Sequence, residues 1–342
     1  MRTAILKPDG PFTKRPRSDT LFGAVCWGIR LTRGEDALEE LLLQFADDDP
    51  PFRLSSAYPV LAPASRSERV HLLPRPLVPM QSVADDEATE RIIEALQRWQ
   101  RLQYIPEDLF RKLAEGGVTK SDVVIPFADG DDTVTIDGTA YAIKDEFLLP
   151  DSYELDRPPF VTGERTRNAV NRLSNSTEGQ LFHDRSFHVV DGAALHVVIE
   201  GDIETALTGL AAIQDHGIGG DKSVGKGTYT LGELGEPGLT PAQTGPSCTL
   251  SLCIPRDAVL DTVATSGYYD VETRKGVLES SLVSGTDIWK KQVLALAEGA
   301  ILPEFDGHIG YNPVVADRFE HGVQQYGYEL PVAIDGALLR SS

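Results

Sequence analysis

The 342 residues are 41% hydrophobic and 25% charged, the composition of a packed globular protein with room for about two domains. No apolar run approaches the roughly 18 residues of a bilayer span, and Cys26, Cys248 and Cys253 have neither CxxC nor Cys/His spacing, so neither a zinc site nor a disulfide framework is indicated and a cytoplasmic protein is the expectation. The net charge of −20 speaks against a nucleic-acid partner, whose phosphates call for Lys and Arg, unless the bases are concentrated locally.

They are. Residues 1–34 carry seven bases against two acids. Within them Thr3 to Leu6 reads as a short strand, and the loop from Pro8 to Arg17 is broken by prolines and strongly basic, with Lys14, Arg15 and Arg17. Ser18 or Asp19 can cap the next helix, whose apolar face is Leu21, Phe22, Val25 and Ile29. After Gly34, Leu38, Leu41, Leu42 and Phe45 keep helical spacing and are expected in the core. Residues 35–49 hold seven acids and no base, ending in Asp47-Asp48-Asp49. Three aspartates at a helix C-terminus oppose its macrodipole, so local stability does not explain them.

Phe52 to Leu61 reads as strand, and residues 62–160 as a long insertion. In it, Ile92, Ile93, Leu96, Trp99 and Leu102 predict an amphipathic helix, Leu109 to Ala114 is helical, and Asp137-Gly138 between two β-rich runs signals a type I′ hairpin. Residues 129–156 hold nine acids and one base, Lys144, and are expected to be solvated, because the D-G-D-D run lacks the rest of an EF-hand loop. Ala194 to Glu200 is a strand, Asp202 caps a helix faced by Ile203, Ala206, Leu207, Leu210 and Ala211, a glycine-rich loop runs from His216 to Gly227, and Thr228 begins another strand. This is the second half of a β-α-β-β-α-β unit, whose first half is Thr3–Leu6, the helix after Ser18 and Phe52–Leu61. The expected fold is α+β: a ferredoxin-like (RRM-like) domain over residues 1–235 with an insertion at about 62–160, a Pro/Gly linker over 237–246, and a smaller strand-rich domain over 246–342. Trp99 and Trp289 are expected in the core or at subunit contacts.

The glycine-rich loop carries the most information. Gly220 through Lys226 fits GxxxxGK, yet Gly227 stands where a P-loop needs Ser or Thr, and this loop leaves a helix for a strand rather than the reverse. A plain helix-to-strand connection needs one C-cap glycine; residues 217–227 have five. Glycines at positive φ let the backbone present N–H groups to an anion. Lys222 and Lys226, two of only ten lysines, add charge there and are expected at the surface, which favours a polyanionic ligand.

These residues resemble a family. The Gly217–Gly227 loop after an amphipathic helix, with the Ser18-Asp19-Thr20-Leu21-Phe22-Gly23-Ala24 helix start, is similar to the RAMP proteins of CRISPR interference complexes. Phe52-Arg53-Leu54-Ser55-Ser56-Ala57-Tyr58-Pro59, Arg165-Thr166-Arg167-Asn168 with Arg172 leading to Gly179-Gln180-Leu181-Phe182, and the shorter Asn312-Pro313-Val314 and Tyr326-Gly327 add to the likeness, which is strongest to the fourth subunit of the type III-A effector. The resemblance implies a RAMP domain followed by a degenerate second domain. It further implies a non-catalytic subunit without a cofactor, which caps the 5′ tag of the guide RNA and docks on the large polymerase-like subunit and a backbone repeat subunit. It places RNA contacts on Lys14, Arg15, Arg17 and Ser18, on Arg165, Arg167 and Arg172, and on Gly217, Gly219, Gly220, Lys222, Ser223, Gly225, Lys226 and Gly227; His216 reads either as a helix C-terminal residue or as a contact.

Single-stranded RNA needs phosphate donors and planar groups for splayed bases, and Arg supplies both. Two alternatives stand beside this reading. His183 and His188 could serve as acid and base of a guide-processing ribonuclease, although five residues apart they need not face one site, and the chain could be the equivalent subunit of the type III-B complex. The acid-rich, lysine-poor remainder, 29 Asp and 23 Glu against 22 Arg and 10 Lys, suits a high-salt cytoplasm.

Overall fold

In the computed structural model, which describes residues 1–62, 69–80, 89–128, 132–153, 158–168, 181–278, 289–317 and 322–339, the chain opens on β1 (Arg2–Pro8) and helices α1 (Ser18–Arg33) and α2 (Glu35–Ala46). The expected single strand after them is two, β2 (Phe52–Leu54) and β3 (Tyr58–Leu61). Between them Ser55 Oγ accepts from Val198 N–H at 2.8 Å and Ser56 N–H donates to the Leu250 carbonyl at 3.0 Å. The chain leaves the regular ladder there because its serines and backbone are bonded elsewhere.

The insertion supplies β4 (Val70–Pro74), α3 (Thr89–Arg101), β5 (Tyr104–Pro106), α4 (Glu107–Ala114), α5 (Lys120–Ala128), β6 (Thr133–Ile136), β7 (Thr139–Lys144) and β8 (Phe147–Pro150). Asp137 and Gly138 have φ of 50° and 80°, the pair of left-handed residues that a type I′ turn requires. A two-stranded ribbon, β9 (Phe160–Asn168) and β10 (Leu181–Val189), leads to β11 (Ala193–Gly201), α6 (Ile203–Ala212) and β12 (Tyr229–Gly235).

Strand order explains the class. β12, β1, β11 and β3 lie side by side and are antiparallel throughout, so the four core strands run in the order 4-1-3-2 of a ferredoxin-like sheet. Beyond β3 the sheet continues through β4, β5, β8, β7 and β6. The insertion therefore lengthens the same sheet, to ten strands with β2, instead of forming a sheet of its own. α1 and α6 pack where Gly28 meets Gly209; a Cβ on Gly28 would stand 2.0 Å from the Gly209 carbonyl oxygen.

The helix caps divide. Asp202 caps α6 by accepting from Thr205 N–H at 3.0 Å, whereas neither Ser18 nor Asp19 caps α1, whose N-cap position is Arg17. Ser18 is buried, and its hydroxyl accepts from Leu252 N–H at 3.0 Å. The orphan N–H of Ser18 is taken by Ser56 Oγ at 2.9 Å, so a residue from another element does the capping.

The C-terminal region contains β13 (Ser247–Thr249), α7 (Leu260–Ser266), β14 (Val271–Arg274), β15 (Val293–Leu296), β16 (Ile301–Leu302), β17 (Val314–Ala316), β18 (Val323–Gln324) and β19 (Pro331–Ala333). β13 lies between β16 and β19, and β14–β15 and β17–β18 are hairpins. Its core is shared with the rest. Tyr326 and Tyr328 pack with Phe22, Phe45 and Phe52, while Leu250, Ile301 and Val332 join the cluster around Trp99 and Phe110. One of the three aspartates after α2 finds its reason here: Asp48 accepts two bonds from the Arg256 guanidinium, at 2.5 and 2.8 Å, and one from Tyr328 Oη at 3.2 Å. Trp99 is core as expected; Trp289 is not, being 55% exposed with the Lys275 ammonium 5.2 Å from its ring centroid. Among the described residues no helix is long and apolar enough to cross a membrane.

Candidate nucleic-acid interface

The basic N-terminal loop, the β9–β10 ribbon and the glycine-rich loop converge. Phe12 and Phe187 exchange backbone hydrogen bonds of 2.8 and 2.7 Å, tying the basic loop to β10. Gly227 N–H donates to the Pro11 carbonyl at 2.8 Å and Thr13 Oγ to the Gly220 carbonyl at 2.9 Å, tying it to the glycine-rich loop. Segments almost two hundred residues apart thus become one unit.

The glycines of the loop serve two purposes. Gly217 and Gly227, at φ of 83° and 79°, close the base of the loop: Ile218 N–H donates to the Gly227 carbonyl at 2.9 Å, and a Cβ on Gly227 would stand 2.1 Å from the Ile218 oxygen. Gly219 and Gly225, also at positive φ, face open space. Closure explains the first pair without a ligand. The second pair leaves backbone exposed.

Beside the loop lies a groove of about 900 Å³. Gly217 to Ser223 form one border, Lys14 stands at the rim, Thr20, Gly23, Ala24 and Trp27 of α1 line it, and residues 273–278 with Lys290 belong to the C-terminal region. Its lining includes five bases (Lys14, Lys222, Arg274, Lys275 and Lys290) and two acids, Asp19 and Asp221, in a chain of net charge −20. Asp19 is held by Arg274 through two bonds of 2.9 and 3.0 Å and by Gln325 at 2.8 Å, which neutralises it at the groove wall. Burial pulls the Lys290 ammonium below the usual lysine range, against the opposing pull of Asp19. A smaller cavity of about 180 Å³ shares Asp19, Gly23, Trp27, Lys290 and Val323 with the groove. The Arg30 guanidinium lies 5.6 Å from the Trp27 ring.

Of the residues singled out in the sequence, Lys14, Gly217, Gly219, Gly220, Lys222 and Ser223 line this groove. Others are corrected. Arg15 is part-buried, with its guanidinium on the Ala57 carbonyl at 2.7 Å and over the Tyr58 and Tyr104 rings. Arg17 binds Glu298 and Glu272, and Ser18 is buried against Leu252, so these three hold the fold rather than face solvent. Lys226, expected at the surface, is 2% exposed and paired with Asp184 and Asp221.

Gly225, Gly227 and His216 lie outside the groove lining; His216 is exposed after α6. Arg165 is exposed on β9 opposite Asp184, and Arg167 sits two residues further along the strand. Arg172 lies outside the described residues. His183 is exposed and bonds Glu164 at 2.8 Å; His188, an odd number of residues along the same strand, projects from the other face of the ribbon.

Four groove residues escaped the sequence reading: Trp27, Arg274, Lys275 and Lys290. The signal was present for the lysines, since Lys275, Lys290 and Lys291 are three of the chain's ten.

Comparison with known proteins gives a consistent set. The CRISPR Csm4 C-terminal domain family matches residues 242–334. A curated protein of Thermococcus onnurineus (strain NA1), "CRISPR system Cms protein Csm4", is 24% identical over 340 residues, which are 96% of this chain and 95% of that protein. Among solved structures, a chain of the Csm3–Csm4 subcomplex in the type III-A CRISPR-Cas interference complex superposes with a TM-score of 0.62 at 17% identity, over 98% of this chain and 100% of that one. A chain of the Csm1–Csm4 cassette in complex with pppApA gives 0.56 at 18% identity, over 98% and 97%.

Proposed function

The chain belongs to the Csm4 family of RAMP proteins, subunits of type III CRISPR effectors, and from that premise we propose that its groove holds the 5′ tag of the guide RNA without cleaving it. One observation carries the reading: a strongly acidic chain gathers five bases along a single groove. A single strand fits the lining. Lys14, Lys222 and Lys275 offer charge to phosphates, the exposed backbone at Gly219 and Gly220 offers close approach, and Trp27 offers a flat ring beside a cavity large enough for a base turned out of the strand. The two histidines that a nuclease would pair project from opposite faces of their ribbon, which favours a holder over a cutter. Relatives of the same fold are solved with Csm3 and with Csm1. A backbone subunit and the large polymerase-like subunit are accordingly the proposed neighbours, with this chain bridging them at the tag. The acid excess elsewhere is assigned to a salty cytoplasm, where it keeps the surface hydrated.

The test is anisotropy of a labelled single-stranded tag RNA, titrated with the full chain over a series of salt concentrations. Each lost phosphate contact lowers the slope of log K against log salt by about 0.7, so Lys14→Ala with Lys275→Ala is expected to lower it by roughly twice that while the RNA is recovered intact. Unchanged affinity and slope would remove the groove from the site. RNA fragments that accumulate with the wild type and vanish with His183→Ala would replace the holder by a nuclease.

A further inference from the structure

Two of the three converging segments, β10 and the glycine-rich loop, meet at one side chain. Lys226 is 2% exposed, and its ammonium has three acceptors: Asp184 on β10, Asp221 Oδ2 at 3.1 Å and the Arg185 carbonyl at 3.3 Å. Lysine has three N–H donors. All three are spent inside the protein, and none remains for a phosphate. Burial opposes the charge, yet the two carboxylates outweigh it and hold the lysine above its usual range.

The loop has reason to need such a bond. Gly217, Gly219, Gly225 and Gly227 all sit at positive φ, and glycine has many other conformations to visit. Asp221 is left-handed as well, at φ 59°, a conformation uncommon for residues with a Cβ. Lys226 binds that aspartate's side chain and receives further anchorage from β10, which the Phe12–Phe187 bridge joins to the basic loop.

We propose that Lys226 is a positioning residue of the tag site, an internal latch that fixes the glycine-rich loop in the shape RNA meets and makes no contact with RNA itself. The proposal rests on the groove being the tag site, and its test has one arm that needs no RNA. In that arm, amide hydrogen exchange over residues 216–227 of the full chain should speed up in Lys226→Met and in Asp184→Asn. It should be about as fast in the double variant as in Lys226→Met alone, because the two changes break the same bond and their effects do not add. Thermal unfolding of each variant identifies any that loses the fold, in which case Asp184→Asn alone supplies the comparison.

In the binding arm, a loop that spends only about a tenth of its time in the competent shape binds tag RNA about tenfold more weakly. Lys226→Met should therefore lose affinity at every salt concentration with the salt slope unchanged, and Asp184→Asn should lose it in the same way. A slope lower by about 0.7 in Lys226→Met, with affinity and slope unchanged in Asp184→Asn, would make Lys226 a phosphate ligand and overturn the latch. Unaltered exchange in both single variants would overturn it too. Loosened exchange in a protein whose wild type ignores tag RNA would keep the latch and sink the tag site instead.

Discussion

Glu298 is the most consequential single carboxylate in the molecule. Its side chain is 5% exposed, accepts from Arg17 Nε at 2.8 Å and also binds Ser56 Oγ, while Arg15 lies 3.7 Å away. Burial by itself would raise its pKa, but the Arg15 and Arg17 charges win and hold it at about 2 against an ordinary 4.5. The folded state therefore binds the proton less readily than the unfolded chain. The stabilisation is complete above the unfolded value and lost as pH falls through the folded one. Denaturant midpoints should fall between pH 4.5 and pH 2, and Glu298→Gln should flatten that acid limb. Removing the carboxylate takes an acceptor from two part-buried guanidinium groups, so Glu298→Ala is expected to cost about 1–3 kcal/mol by chemical denaturation at neutral pH. A drop under about 1 kcal/mol would mean that the arginines find water instead. This residue also marks what a sequence withholds. Counting bases located the N-terminal loop, but it could not separate Lys14, which reaches the groove, from Arg15 and Arg17, whose carboxylate partners lie more than two hundred positions downstream.

At the scale of elements, the crossing of α1 and α6 sets the helical layer over the four core strands. Gly28→Ala would drive a methyl group into a carbonyl of the opposing helix, and backbone cannot swing aside as a side chain can. The expected cost is about 1–3 kcal/mol or more, read as a lowered melting temperature. Gly23→Ala on the same helix is the control: nothing lies within 4 Å of the new Cβ, and replacing a helical glycine should stabilise by up to about 1 kcal/mol. Equal gains from both would show that helix propensity, not packing, governs the site. Elements with local signals were readable in advance, among them α6 with its Asp202 cap, the Asp137-Gly138 turn and the apolar faces of α1 and α2. The misread features depend on distant partners. The break between β2 and β3 and the capping of α1 are both settled by Ser55 and Ser56, whose hydroxyl groups bond to residues on other strands and helices.

For the whole molecule, the sequence pattern conveyed the β-α-β-β-α-β plan but not that the insertion would extend the same sheet, because strand adjacency is written in neither composition nor periodicity. Nor did it reveal how far the two ends of the chain depend on each other. Tyr326 Oη accepts from Leu54 N–H at 2.9 Å, Tyr328 Oη donates to the Phe45 carbonyl at 2.8 Å, and Tyr58 Oη donates to the Leu250 carbonyl at 2.6 Å. Residues 1–241 expressed alone would expose the aromatic face that these tyrosines cover and leave Arg15 and Arg17 without carboxylates. The expected product is aggregated or without a cooperative melting transition, measured by size exclusion and circular dichroism. A monomer with the full-length melting temperature would establish two independent domains.

The partners of Arg17 have a further consequence, in time. They lie 255 and 281 residues further along the chain. At about 5–20 residues per second, a ribosome needs roughly 15–60 s after making Arg17 to make both of them. Throughout that interval the groove lacks the border formed by residues 273–278 and Lys290. A chain stopped early carries the glycine-rich loop and the basic loop but not the site they border. Under the proposed function, binding of the tag thereby also checks that translation has passed Lys290.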